Sequence, residues 1–120
     1  MAEEKQFENR IKQYLRQQDT WFVKYWGGIA ANGKKYTKDG VPDILACVKG
    51  AFLGIEVKAS NGHPSDLQLY NLKKIDAAGG FAFLLYPEDF GYFKSFISCL
   101  MASDPNMYIY YDKLKGRWSG

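Results

Sequence analysis

Residues 40–58 read GVPDILACVKGAFLGIEVK, two apolar runs, Asp43–Val48 and Ala51–Lys58, that meet at Lys49-Gly50. A two-residue connection with glycine in second place suits a primed turn, so the stretch predicts a β-hairpin. Centring the turn on Lys49-Gly50 sets Val48 opposite Ala51 and, counting outward, Asp43 opposite Glu56. Directly opposed residues of an antiparallel pair have Cβ atoms about 4.5–5.5 Å apart. The hairpin therefore places two carboxylates side by side, which is destabilising unless something positive lies between them.

Period-two alternation supports that register. Ile44, Ala46, Val48, Ala51, Leu53, Ile55 and Val57 share one apolar face, the expected core side. Asp43, Leu45, Cys47, Phe52, Gly54, Glu56 and Lys58 share the other. Pro42 has a fixed φ and no donor, which suits a strand entrance. One end of one hairpin face thus gathers Asp43, Glu56 and Lys58, a set able to hold a hard cation and place a water beside it.

The flanking chain predicts an α/β domain. Phe7, Ile11, Tyr14 and Leu15 recur at helical spacing within 3–18, with Glu8 at the edge of their stripe. By spacing alone Glu8 is a solvated charge. Thr20–Trp26 is rich in β-branched and aromatic residues, as a strand is. The loop from Gly27 to Gly40 carries Lys34, Lys35 and Lys38 around Tyr36. Cations interleaved with an aromatic suit phosphate contact and base stacking, although an ordinary solvated loop has the same composition. Ser65 opens a helix running to Ala78, and Ser65 and Gln68 match a capping box. Lys73 and Lys74 lie on its exposed side, where Lys73 is a weak candidate for DNA contact. Phe81–Tyr86 reads as a buried strand, reached by a β-α-β crossover that makes the sheet mixed. A last helix starts at Pro87, with Phe93, Phe96, Ile97 and Leu100 inward. Met107–Tyr111, in an aromatic tail, is a candidate short strand; the tail itself suits core, DNA platform or dimer surface.

A chain of 120 residues with 47% hydrophobic and 17% aromatic residues is one globular domain, residues 1–120. Its net charge of +3 permits nucleic-acid binding without demanding it. Cys47 and Cys99 make no metal spacing, and His63 is the sole histidine. A single histidine rules out a His-rich zinc site, and nothing in the sequence points to a Ser-His-Asp triad or a Cys-His pair. The acidic, polar start is unlike a signal peptide, and no apolar run approaches the roughly 18 residues of a membrane span. A cytoplasmic protein with reduced thiols is expected.

Pro42-Asp43 followed by Glu56-Val57-Lys58 resembles the PD-(D/E)XK nuclease motif. The wider string Gly40-Val41-Pro42-Asp43, Ile55-Glu56-Val57-Lys58, Ser65 and Gln68 resembles the VRR-NUC branch in its small, stand-alone phage or bacterial form. The resemblance covers roughly residues 4–86, and no literal Val-Arg-Arg occurs. It implies a restriction-endonuclease-like α/β core, a mixed sheet of about four strands flanked by helices. It also implies a metal-dependent DNA endonuclease. Asp43, Glu56 and the main-chain carbonyl of Val57 would hold Mg²⁺ or Mn²⁺. Lys58 would orient the attacking water or steady developing charge. Gln68 would position the lysine or the water, and Glu8 would reach the cation directly or through water. The resembled proteins are like Holliday junction resolvases, dimers that cut branched DNA, so a homodimer acting on four-way junctions is expected. The alternatives are a nuclease without junction preference and a DNA-binding module of the same fold without catalysis.

Overall fold

The computed structural model describes residues 2–26, 33 and 38–120. In chain order it contains α1 (Ala2–Gln17), β1 (Thr20–Lys24), β2 (Ile44–Val48), β3 (Ala51–Val57), α2 (Asp66–Ala77) and β4 (Phe81–Leu85). A 3₁₀ turn (Pro87–Asp89) then leads into α3 (Phe90–Met101), and α4 (Met107–Lys115) follows. The four strands form one sheet in the order β1-β2-β3-β4. β1, β2 and β3 are antiparallel, whereas β4 runs parallel to β3. The fold is therefore α/β with a mixed four-stranded sheet. Among the described residues no helix is long and apolar enough to cross a membrane.

The hairpin has the expected register, with Val48 opposite Ala51 and Ile44 opposite Ile55. Lys49 and Gly50 both have positive φ, 51° and 81°, as a type I′ turn requires. Its apolar face is buried: Ile44, Val48, Leu53, Ile55 and Val57 are fully enclosed. They pack with Phe7, Ile11 and Leu15 of α1, with Phe93, Phe96 and Ile97 of α3, and with Tyr111 and Leu114 of α4. The other face is covered in part by α2, where Leu72 packs with Ala82, Leu84 and Tyr86 of the β4 region and with Trp118. The sheet thus lies between one helix and three.

The tail departs from expectation. Met107–Tyr111 is not a strand but the opening of α4. Met107, Tyr111 and Leu114 recur at i, i+4 and i+7, a helical stripe that packs on the main core, and Trp118, just past the helix, packs with the α2 side of the sheet. Helix geometry lets the tail complete the edge strand β4 with side chains rather than with a fifth strand. The amide of Ala82 donates to the Tyr111 hydroxyl (2.9 Å), and the Trp118 indole donates to the carbonyl of Ala82 (2.9 Å). The Tyr111 hydroxyl in turn donates to Asp76 of α2 (2.7 Å). The strand expected over Thr20–Trp26 ends at Lys24, although the amide of Tyr25 still donates to the carbonyl of Asp43 (2.8 Å).

Candidate active site

Asp43 stands at the entrance of β2, one step before Ile44. Its Oδ2 accepts a hydrogen bond from the amide of Val57 (2.8 Å), which locks the carboxylate beside the end of β3. Glu56 is the residue before Val57 and points to the α2 face of the sheet. It is 2% exposed, and its Oε1 is buried with no hydrogen-bond partner. Its Oε2 accepts from Gln68 Nε2 (2.9 Å) and lies 3.6 Å from Lys58 Nζ. Burial and the neighbouring charge of Asp43 push the Glu56 carboxyl up to about 8, against the opposing pull of Lys58.

Gln68 does two jobs at once. Its Oε1 accepts from the amide of Ser65 (2.9 Å), and the Ser65 hydroxyl accepts from the amide of Gln68 (3.1 Å), completing the capping box. The remaining amide nitrogen is the one that reaches Glu56. The capping and functional readings of this residue are therefore both available in one rotamer.

The segment leading to Asp43 is pinned on α2. Asn71, 6% exposed, donates to the carbonyls of Leu67 (3.0 Å) and Asp39 (3.4 Å). Gly40 has φ of +75°, and a Cβ there would lie 2.6 Å from Leu67 Cγ and 2.9 Å from Asn71 Nδ2. The chain can turn beneath the helix only because this residue is glycine. Asn71 carries no distinguishing signal in the sequence, one polar residue among several in this amphipathic helix.

Glu8 is buried on α1, at 4% exposure, and is not a solvated charge. Lys24 Nζ lies 2.6 Å from its Oε1, and Lys12 and Lys5 lie 3.2 Å and 3.7 Å from its Oε2. Burial alone would raise the Glu8 carboxyl, but the hydrogen bonds and charges of Lys24 and Lys12 hold it below the ordinary value. Lys24 also approaches Asp43 Oδ1 (3.6 Å), so one ammonium stands between the two acids. Burial would lower Lys24, and Glu8 and Asp43 together raise it. Sequence reasoning missed this lysine. Its signal is positional: Thr20, Phe22 and Lys24 share the core-facing side of β1, where a charge must have a partner.

The structure thus gathers Asp43, Glu56, Lys58 and Gln68, and sets Glu8 behind Lys24. Among the described residues no three acidic, histidine or cysteine side chains form a group that could hold a metal ion. Two carboxylates with a partnerless buried oxygen do suit a hard cation that keeps several waters, as Mg²⁺ does. The carbonyl of Val57 adjoins them in the chain. Lys34, Lys35 and Tyr36 lie outside the described residues. Lys38 is exposed, and its carbonyl accepts from the Tyr25 hydroxyl (2.9 Å). Lys73 and Ser65 are exposed on and before α2. The chain matches no model of a known protein family and no curated protein.

Proposed function

We propose that this protein is a metal-dependent endodeoxyribonuclease that hydrolyses phosphodiester bonds, of the PD-(D/E)XK kind its motif resembles, with a VRR-NUC-like arrangement. The observation that carries the reading is the meeting of Asp43 and Glu56 at one hairpin end, with Lys58 3.6 Å and Gln68 2.9 Å from the same Glu56 oxygen. Such a constellation is costly to fold around, because two carboxylates this close, one of them nearly buried, repel unless a proton or a cation lies between them. A bound cation would offset that cost.

Asp43, Glu56 and the Val57 carbonyl would hold Mg²⁺ or Mn²⁺. The cation would supply a polarised water and neutralise charge on the phosphate. Lys58, its side chain only 14% exposed at the strand end, would orient the attacking water or stabilise the developing negative charge. Gln68 fixes the rotamer of Glu56. Glu8 holds Lys24 against Asp43 and so acts on the site at one remove. Branched DNA is the proposed substrate, cut by a homodimer, since paired cuts need two sites. A cytoplasmic setting, in a bacterium or its phage-infected form, suits the free thiols of Cys47 and Cys99.

Labelled duplex, flap and four-way junction DNA, incubated with Mg²⁺ or with EDTA, test the proposal. Cleavage that needs the metal and is fastest on the junction is expected. Absence of cleavage with both Mg²⁺ and Mn²⁺ would sink the nuclease reading, and equal rates on all three would remove the junction preference.

A further inference from the structure

Among the described residues β1 is an edge strand, and beside it the C-terminal half of α1 leaves an open cleft of about 510 Å³. The cleft is lined by Lys12, Arg16, Thr20, Trp21, Phe22 and Lys24, three cations and no carboxylate. Lys12 and Lys24 face Glu8, but Arg16 has no carboxylate partner among the described residues, and its guanidinium lies over the Phe22 ring at 5.5 Å. Trp21, which alternates to the opposite side of the edge strand from Phe22, is 64% exposed. Just past the strand Trp26 is 69% exposed, with Lys24 and Lys5 at 5.5 Å and 5.9 Å from its ring. Cations and open aromatic faces therefore follow β1 toward the acidic pair, and Lys24 at 3.6 Å from Asp43 joins the two.

We propose that this cleft is a track for an unpaired polynucleotide strand, with Trp21 stacking a base and Arg16 meeting a phosphate. A polyanion fits three cations, and flat exposed indoles fit unstacked bases rather than paired ones, whose faces are hidden. A second copy of the chain fits less well, because it would bring the same three cations against these. The neighbouring site would then also accept a branched substrate that carries an unpaired strand beside the scissile bond, as a flap does. The inference takes its purpose from the nuclease reading, but binding alone tests it.

Labelled oligothymidylate and oligouridylate of about 12 nucleotides are titrated in EDTA, with melting temperatures taken on each variant. Trp21→Ala should weaken binding of one or both by about tenfold or more, and Trp21→Phe should restore most of it. Arg16→Ala should weaken binding and flatten its salt dependence by about 0.7 in log–log slope, the share of one phosphate on a single strand. A response confined to one of the two tells a DNA strand from an RNA strand, and a response of both leaves either as the ligand. If both alanine variants melt and bind as wild type does, the track is wrong even where cleavage is seen. If they lose binding while no substrate is cut, the track stands and the nuclease reading falls. If Trp21→Ala converts a dimer to a monomer on light scattering and leaves binding per subunit unchanged, the cleft is a contact between copies and the inference is overturned.

Discussion

Gln68 faces Glu56 with its amide nitrogen because Ser65 leaves it no choice. The Ser65 amide can be met only by the Gln68 oxygen, so the NH₂ group must point at the Glu56 carboxyl 2.9 Å away. A helix cap thereby orients a candidate ligand. Ser65→Ala removes the hydroxyl half of the box and should cost about 1 kcal/mol of stability with little change in turnover. Gln68→Ala should cost about as much or more and lower turnover as well. Denaturation curves and single-turnover rates on the same preparations separate the two effects. Equal rates for the variants would reduce Gln68 to a cap.

Asp43→Asn and Glu56→Gln should each abolish metal-dependent cleavage while the fold survives, since each removes a ligand and relieves carboxylate repulsion. Mg²⁺ or Mn²⁺ should raise the melting temperature of wild type and leave both variants nearly unmoved, because only a bound cation adds to stability. Wild-type turnover in either variant would show that the cation, if there is one, lies elsewhere.

The Glu56 carboxyl gives the metal-free protein a definite pH dependence. Its folded value of about 8 lies above its ordinary 4.5, so the folded state keeps a proton that the unfolded chain has lost between them. Stability from this group is full below the lower value, falls as pH rises through the interval, and levels off above the upper one. Glu56→Gln should accordingly gain in melting temperature over wild type as pH is raised from about 5 to about 8. Near neutral pH, metal binding should also release a proton, visible as a buffer-dependent heat in titration calorimetry. A stability difference flat in pH would contradict the raised carboxyl.

Lys58→Ala should lower turnover by orders of magnitude while leaving DNA affinity nearly intact, since a group acting at the transition state affects rate rather than docking. Lys24→Met should behave differently. It strips Glu8 of its 2.6 Å partner and should cost about 2 kcal/mol or more, with Glu8→Gln in the same background restoring part of the loss. Loss of affinity with an unchanged rate at saturation would reassign Lys58 to phosphate contact.

Tyr111→Phe removes the hydroxyl that serves both the Ala82 amide and Asp76. An unmet buried amide should destabilise the domain by about 1–3 kcal/mol, and hydrogen exchange at Ala82 should accelerate more than at Ile55 in the sheet interior.

The hairpin was legible because both of its determinants are local: a two-residue turn that sets the register, and an alternation that says which face is buried. The same holds for the capping box at Ser65. Lys24 was not legible, because its partners come from α1 and from the entrance of β2, and only the pairing of β1 with β2 brings them together. Spacing alone makes Glu8 look solvated for the same reason, since the three lysines that enclose it come from two elements. In the tail, Met107 to Tyr111 suits a strand by composition, and the helical stripe becomes decisive only when it is followed as far as Leu114. That β4 would have its edge met by Tyr111 and Trp118, leaving no place for a fifth strand, is a tertiary fact.

Gly40 has a consequence for how the chain tolerates change. Its missing side chain is filled by Leu67 and Asn71 of the helix that also carries Gln68, and it lies three residues before Asp43. Any larger residue there must push the helix away or lift the turn, so it displaces the Glu56 partner and the Asp43 backbone together. Drift at this position has no neutral path: damage to folding and damage to chemistry arrive in the same substitution, and a second change elsewhere could compensate one only by compensating both.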